Sequence, residues 1–426
     1  MSKKRRALVV LIGLLLAALA LNGCQNNSVQ IVAPEKEPVS LRFVGYKVGA
    51  TKVEEIEVIL EQYMESHDDV VIVYEGVGDD YVNVLTNRLK SGRADDLFML
   101  SDQSLTTYVH NGWCGSKIVN LSEHEIMQRY SPLIQKLITV DGQVPAVPMC
   151  LSVVGMMGNM DILRECGIQE MPRTFDQWVE DMEIVQAHGY TPMVNYLGNA
   201  ASLHFLMAAR ATAPYIEGTQ TLTEASTAES VYAQGIKDIY ELVERGLIDR
   251  QQMAAANEPR AYQKVLGEQF AAGGAAFAVV PSWGLTAFMS GEPAFEYVYG
   301  GLPMGDEGPL INVRASVMVA LNNEGEHKEE AAAFLDYLMQ PEHIERYAAE
   351  QTSLSPLAGA KSADPLFAET VAQIAEGRMF SDTDPSIPFN LLKVLNQAAA
   401  GMAQGEELEQ ILNQFSQAVA AETGAF

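Results

Sequence analysis

Histidines, cysteines and paired carboxylates are the residues of this 426-residue chain that could catalyse or hold a metal, and their spacing supplies neither. The seven histidines (67, 110, 124, 188, 204, 327 and 343) are scattered, so no zinc set is built on local spacing. Cys114, Cys150 and Cys166 match no zinc motif. Outside a cell, their odd number leaves at least one free thiol or an intermolecular bond. Buried small apolar side chains are the plainer expectation for them, with one disulfide left open. A Gly-x-Ser-x-Gly elbow, a His-Glu-x-x-His pair and a P-loop are all missing from the sequence. Asp95 and Asp96 are sequence neighbours, whereas glycosidase carboxylates flank a bond at ~5–10 Å, a geometry that spacing does not reveal. No cofactor, no metal and no enzyme activity are therefore expected, and an exported glycoside hydrolase has no residue pattern behind it.

Cys24 has a different chemistry. A basic head, Lys3-Lys4-Arg5-Arg6, precedes an apolar run over residues 7–21 that ends in Leu21-Asn22-Gly23-Cys24. As a helix that run reaches roughly 22 Å, short of the ~30 Å hydrocarbon core, so it reads as a signal-peptide core (residues 1–23). Its end resembles the bacterial lipobox, which implies that Cys24 becomes a lipid-bearing N-terminus on the outer face of the cell membrane. Residues 24–38 are polar and without apolar period, as in a tether.

The elements that must position any site follow. The length predicts two lobes. The net charge is −27, and loss of the four basic leader residues leaves 24 basic against 55 acidic, or −31. Such a field repels nucleic acid, so no nucleic-acid partner is expected. Residues 39–44 alternate as a strand, and 54–65 carry Ile56, Ile59, Leu60 and Tyr63 on one helical face. Residues 70–74 are a second strand, 81–91 a helix with Val82, Leu85 and Leu89 inward and Gly92 as its stop, and 96–100 a third strand. This βαβαβ order predicts a parallel α/β sheet whose ligands lie beyond the strand ends, near Tyr46-Lys47 and Ser101-Asp102. Residues 391–421 predict two helices, since Gly401 and Gly405 interrupt their apolar side.

The run Leu89-Lys90-Ser91-Gly92-Arg93-Ala94-Asp95-Asp96-Leu97-Phe98 resembles family 1 extracellular solute-binding proteins of the sugar-binding branch, with Ala94 where the family often has proline. Further along, Asp141-Gly142-Gln143-Val144-Pro145-Ala146-Val147-Pro148 is similar to the family's approach to its first crossing between lobes. Met171-Pro172-Arg173-Thr174-Phe175-Asp176-Gln177-Trp178 follows, with Thr174 as helix N-cap and Gln177 as its capping-box partner. Phe270 to Ala278, then Pro281-Ser282-Trp283, complete the order, and the likeness covers nearly the whole chain after residue 39.

The resemblance implies an α/β, two-lobed, periplasmic-binding-protein-like fold, each lobe a mainly parallel sheet flanked by helices. The lobes would be 39–148 with 282–351, and 149–281 with 352–426, with hinges near 147–150, 280–282 and 352–355. It implies capture of a mono- or oligosaccharide, delivery to an ABC importer permease, and a monomer. A polyamine, peptide or amino acid is the alternative solute. Sugars present an apolar ring face to aromatic rings and hydroxyl edges to carboxylates and amides. On that logic the expected ligand-binding residues are Trp283 first, then Tyr46, Tyr196 and Phe389, with Asp102, Asp80 and Asn195 as polar partners and Arg314 as a two-sided donor.

Overall fold

The computed structural model describes residues 38–195, 202–220, 228–255, 261–360 and 364–423. The opening run folds as its periodicity dictates. Strand β1 (Val39–Gly45) pairs in parallel with β2 (Val70–Gly76) on one side and with β3 (Leu97–Leu100) on the other. The helix Glu54–Ser66 buries Ile56, Ile59, Leu60 and Tyr63. The helix Tyr81–Lys90 differs from expectation: Tyr81, Leu85 and Leu89 are buried, and Val82 is 63 % exposed. The i, i+4, i+8 row wins because it starts on a large aromatic ring whose hydroxyl donates to the carbonyl of Met99 at 2.6 Å. Gly92 ends this region at φ +64.

The remaining strands are β4 (Val147–Asn159), β5 (Met193–Val194), β6 (Phe277–Pro281), β7 (Tyr297–Gly300), β8 (Ile311–Leu321) and β9 (Met379–Phe380). They form one sheet in the order β2-β1-β3-β8-β4-β6-β5, with β7 also on β4 and β9 also on β8. Pairing is parallel at the two ends of the sheet and antiparallel through β8 and β4, the two long strands that join them.

Two hydrophobic cores cover this sheet. One gathers Phe43, Ile56, Phe98, Phe334 and Tyr347; the other gathers Trp178, Met182, Leu206, Ile239, Leu395 and Phe415. Strand β4 is buried along its whole length and serves both: Val153 and Met157 pack in the first core, Val154 and Met156 in the second. Strand β6 alternates in the same way, with Ala278 and Val280 against Phe277 and Val279. Continuous apolar runs are therefore strands covered on both faces. Gly155 is required where β7 crosses β4, because a Cβ there would sit 2.1 Å from the carbonyl oxygen of Gly300.

Local signals elsewhere behave as written. Thr174 caps the helix Phe175–Ala187 by accepting from the Gln177 N–H, and the Gln177 side chain reaches back to the N–H of Arg173, one residue before the cap. The C-terminal helices Leu391–Gln404 and Leu408–Thr423 break at Gly405 in the left-handed region, while Gly401 stays buried inside the first of them. Cys114, Cys150 and Cys166 are all free and buried.

Candidate functional site

The loops that follow β1, β3, β6 and β9 converge beside the two joining strands, where chain ends of an α/β sheet leave space for a ligand. Two cavities flank this region. One, of about 890 Å³, is lined by Lys47, Lys52, Tyr262, Trp283, Thr286 and Gln351 among others. The other, of about 480 Å³, is lined by Asp102, Thr107, Asp382, Thr383, Asp384 and Phe389 among others. A smaller one of about 270 Å³ lies under Tyr46, Tyr81, Ser101 and Tyr108.

In the largest cavity the platform is Trp283. It sits in the short turn Ser282–Gly284 directly after β6, with Tyr262 edge-on at 4.9 Å. Ser282 anchors the turn by accepting from the N–H of Val153 at 3.3 Å. The indole is 39 % exposed, unlike Trp178, which is wholly buried. Across the cavity, the Lys47 ammonium donates to the Gln351 side-chain oxygen at 2.5 Å and to the Thr51 carbonyl at 3.3 Å. The Lys52 ammonium donates to the Glu350 carbonyl at 2.7 Å and to the Thr352 hydroxyl at 3.3 Å. Burial pulls the Lys47 ammonium below its ordinary value.

The second cavity has a floor of mutually bonded polar groups. Asp382 is buried and accepts from Arg314 Nε at 2.7 Å, Asn312 Nδ2 at 2.9 Å and His204 Nε2 at 3.2 Å; Arg314 Nη2 completes a two-pronged grip. Burial by itself would raise the Asp382 carboxyl, but the Arg314 charge and bonds, aided by His204, hold it far below the usual carboxylate range. The guanidinium carbon of Arg314 stands 5.3 Å from the Phe205 ring centre. Beside this group Asp102 accepts from the Thr383 hydroxyl at 2.8 Å, and burial pushes its carboxyl up, with Arg314 pulling the other way.

Between the cavities, the Tyr46 hydroxyl lies against the backbone of Val317, and burial raises it. Val317 has φ +46, and the ladder between β4 and β8 skips it: Pro148 faces Met318 and Cys150 faces Ser316. A β-branched residue in that region costs about 1–3 kcal/mol and is held there only by its surroundings.

A family model described as bacterial extracellular solute-binding protein matches residues 49–344. The chain belongs to that family. A maltotriose-binding protein of Pyrococcus abyssi is 25 % identical over 140 residues, which is 33 % of this chain and 29 % of that protein. The aligned part thus spans under a third of that relative's length. Among solved structures, the apo form of RafE from Streptococcus pneumoniae superposes with a TM-score of 0.74 at 19 % identity, covering 91 % of this chain and 99 % of that one. RafE in complex with raffinose gives 0.68 at 18 % identity, over 90 % and 100 % of the two chains. The cyclic α-maltosyl-1,6-maltose binding protein of Arthrobacter globiformis gives 0.70 at 19 % identity, over 91 % and 100 %. These likenesses establish the two-lobed α/β fold of extracellular solute-binding proteins.

Within that solute-binding fold the residues expected from sequence fall in different places. Trp283, Tyr46, Asp102 and Phe389 each line one of the three cavities. Phe389 is only 6 % exposed, with Tyr232 edge-on to it. Arg314 is engaged by Asp382. Asp80 is exposed at the start of the helix Tyr81–Lys90, accepts from the Asn83 side chain at 2.8 Å, and lines none of the three. Asn195 is buried after β5; its oxygen meets the Ser202 hydroxyl at 3.4 Å, and its amide nitrogen has no partner among the described residues. Tyr196 and Cys24 lie outside the described residues. Tyr262, Lys52, Asp382 and Thr383 escaped sequence reasoning. The cluster Ser381-Asp382-Thr383-Asp384 was a visible signal for the last two; Tyr262 carried none.

Proposed function

We propose that this protein captures an oligosaccharide in the cleft between its lobes and delivers it to an ABC importer. The observation that carries the proposal is the exposed Trp283 with Tyr262 edge-on, facing hydrogen-bonding groups across a cavity of about 890 Å³. A pyranose offers its apolar face to such a ring and its hydroxyls to the amides, hydroxyls and carboxylates around it. The names of its relatives, which speak of maltotriose, raffinose and cyclic maltosyl-maltose, support the solute class.

Tyr46, Asp102, Phe389 and Asn195-Tyr196 complete the proposed site. We place the crossings between lobes in β4, in β8 and at 352–355. β6 and β7 both pair with residues 154–159 of β4, whereas β8 pairs with both β4 and β3, which supports a return through β8 in place of 280–282. Leu354 bridges to Leu151 beside it. A solute that touches both lobes binds the closed form better than the open form and so favours closure. Cys24 would carry lipid and hold a monomeric protein on the outer membrane face, within reach of its permease.

Thermal unfolding of residues 25–426 with maltotriose, raffinose, stachyose, polyamines and amino acids tests the proposal. A ligand at 100 times its dissociation constant stabilises the folded state by about 2.7 kcal/mol, which is a visible shift. A shift with a saccharide that disappears in Trp283→Ala supports capture on this platform. Shifts only with polyamines or amino acids would replace the solute class, and none with any saccharide would sink it.

A further inference from the structure

Many of the described cations of this acidic protein are in ion pairs, and others, such as Arg129 and Lys328, bond to backbone carbonyls away from any of the three cavities. Arg88 meets Asp95 at 2.6 Å, Arg210 meets Asp238 at 2.8 Å, and Arg314 grips Asp382. Lys47, Lys52 and Lys264 are exceptions, and all three line the cavity of Trp283. Among the described residues none of the three is in a carboxylate ion pair within 4 Å. Lys47 and Lys52 bond to neutral oxygens alone: two backbone carbonyls, an amide and a hydroxyl. Glu268 is the one carboxylate among the lining residues. Glu350 stands behind Lys47 and favours its charge, but its own oxygens are taken by the Glu55 N–H and the Gln351 amide.

A half-buried ammonium with no carboxylate in contact is costly even with Glu350 behind Lys47 and Glu54 near Lys52, and an arriving anion relieves that cost. Burial is the first cause of the lowered Lys47 value and the Lys52 charge adds to it, while Cys150 and Glu350 pull the other way. In a chain of net charge −27, a cavity lined by three lysines and one glutamate repels cationic solutes locally and leaves two ammonium groups to a ligand.

We infer that the solute is an anionic oligosaccharide, with a ring on Trp283 and a carboxylate or sulfate ester at Lys47 and Lys52. This rests on the oligosaccharide-capture reading. Titration calorimetry on residues 25–426 decides it, with trigalacturonate, a sulfated chondroitin disaccharide, neutral maltotriose and sodium sulfate as probes. Trigalacturonate or the sulfated sugar should bind at least about tenfold tighter than maltotriose, and the advantage should shrink with added salt. Which of the two binds tells carboxylate from sulfate. The Lys47→Met/Lys52→Met variant should lose the preference for charged sugar. Lys264→Gln, an exposed change, should weaken the salt dependence even if the double variant fails to fold. Neutral maltotriose binding as tightly as the charged sugars would overturn the inference and leave sugar capture standing. Sodium sulfate matching the sulfated sugar would also overturn it. Failure of every saccharide with a cooperatively folding protein would bring down both readings.

Discussion

On one flank of the cleft Arg314, His204 and Asn312 all bond to Asp382 and Asp102 is met by Thr383; on the other, Lys47 and Lys52 bond to neutral oxygens beside an open indole. Both flanks hold charge near the same apolar sheet, and they differ in what remains to be satisfied. In the first, each charge has an opposite charge or a hydroxyl, so the group acts as a staple between β8 and the segment after β9. In the second, the ammonium groups meet only neutral oxygens, and on the inference above they await an anionic group of the solute. The contrast in partners is the ground on which the first group is read as structural and the second as proposed ligand contacts.

Removing the centre of the staple should have the largest effect. Arg314→Met leaves the Asp382 carboxylate buried without its cation, and denaturant unfolding should report a loss of about 3–5 kcal/mol. A loss below about 1 kcal/mol would erase the contrast between flanks and return Arg314 to the list of solute ligands. The staple should also show in pH. The Asp382 carboxyl is held below its unfolded value near 3.9, so its contribution is full at neutral pH and drains away as pH falls from about 4 through the folded value. The stability difference between the wild type and Asp382→Asn should be flat above about pH 5 and shrink below about pH 4.

Trp283→Ala should give the reverse pattern. The side chain is substantially exposed, so unfolding should change by less than about 1 kcal/mol, while saccharide affinity falls by roughly 30-fold. Equal losses of stability and affinity would make Trp283 a packing residue. Asp102 is subtler. Burial has raised its carboxyl, so its ionisation opposes folding; Asp102→Asn should leave stability unchanged or raise it by up to about 1 kcal/mol at neutral pH. That gain should shrink as pH falls through the raised value and vanish below the unfolded value near 3.9, and a clear loss at neutral pH would mean that the Thr383 bond outweighs burial. The smallest effect belongs to Asp80, which is on neither flank. Asp80→Ala should stay within about 0.5 kcal/mol in stability and about twofold in affinity.

Much of the fold was legible because its signals are short-range. The opening strands and helices, the Thr174 cap and the break at Gly405 each depend on residues within a few positions. Even there, the choice between Tyr81 and Val82 as the inward row needed the Met99 carbonyl that Tyr81 reaches. The proposed site was legible only where an aromatic or acidic residue lies one or two positions after a strand, as Tyr46, Asp102 and Trp283 do. Tyr262 lies in the short helix Ala261–Lys264 with no such marker, and it comes to Trp283 only through packing.

The sequence by itself determined the α/β class and the acidic charge through composition and local periodicity, and the family through the order of motifs such as Leu89 to Phe98 and Met171 to Trp178. Tertiary structure alone decided which charges are spent. Arg314 meets a carboxylate 68 positions away, and Lys47 meets an amide 304 positions away. Such pairings are set by how β4 and β8 bring the two cores together, and burial then makes an unmet charge costly enough to mark a place for a ligand.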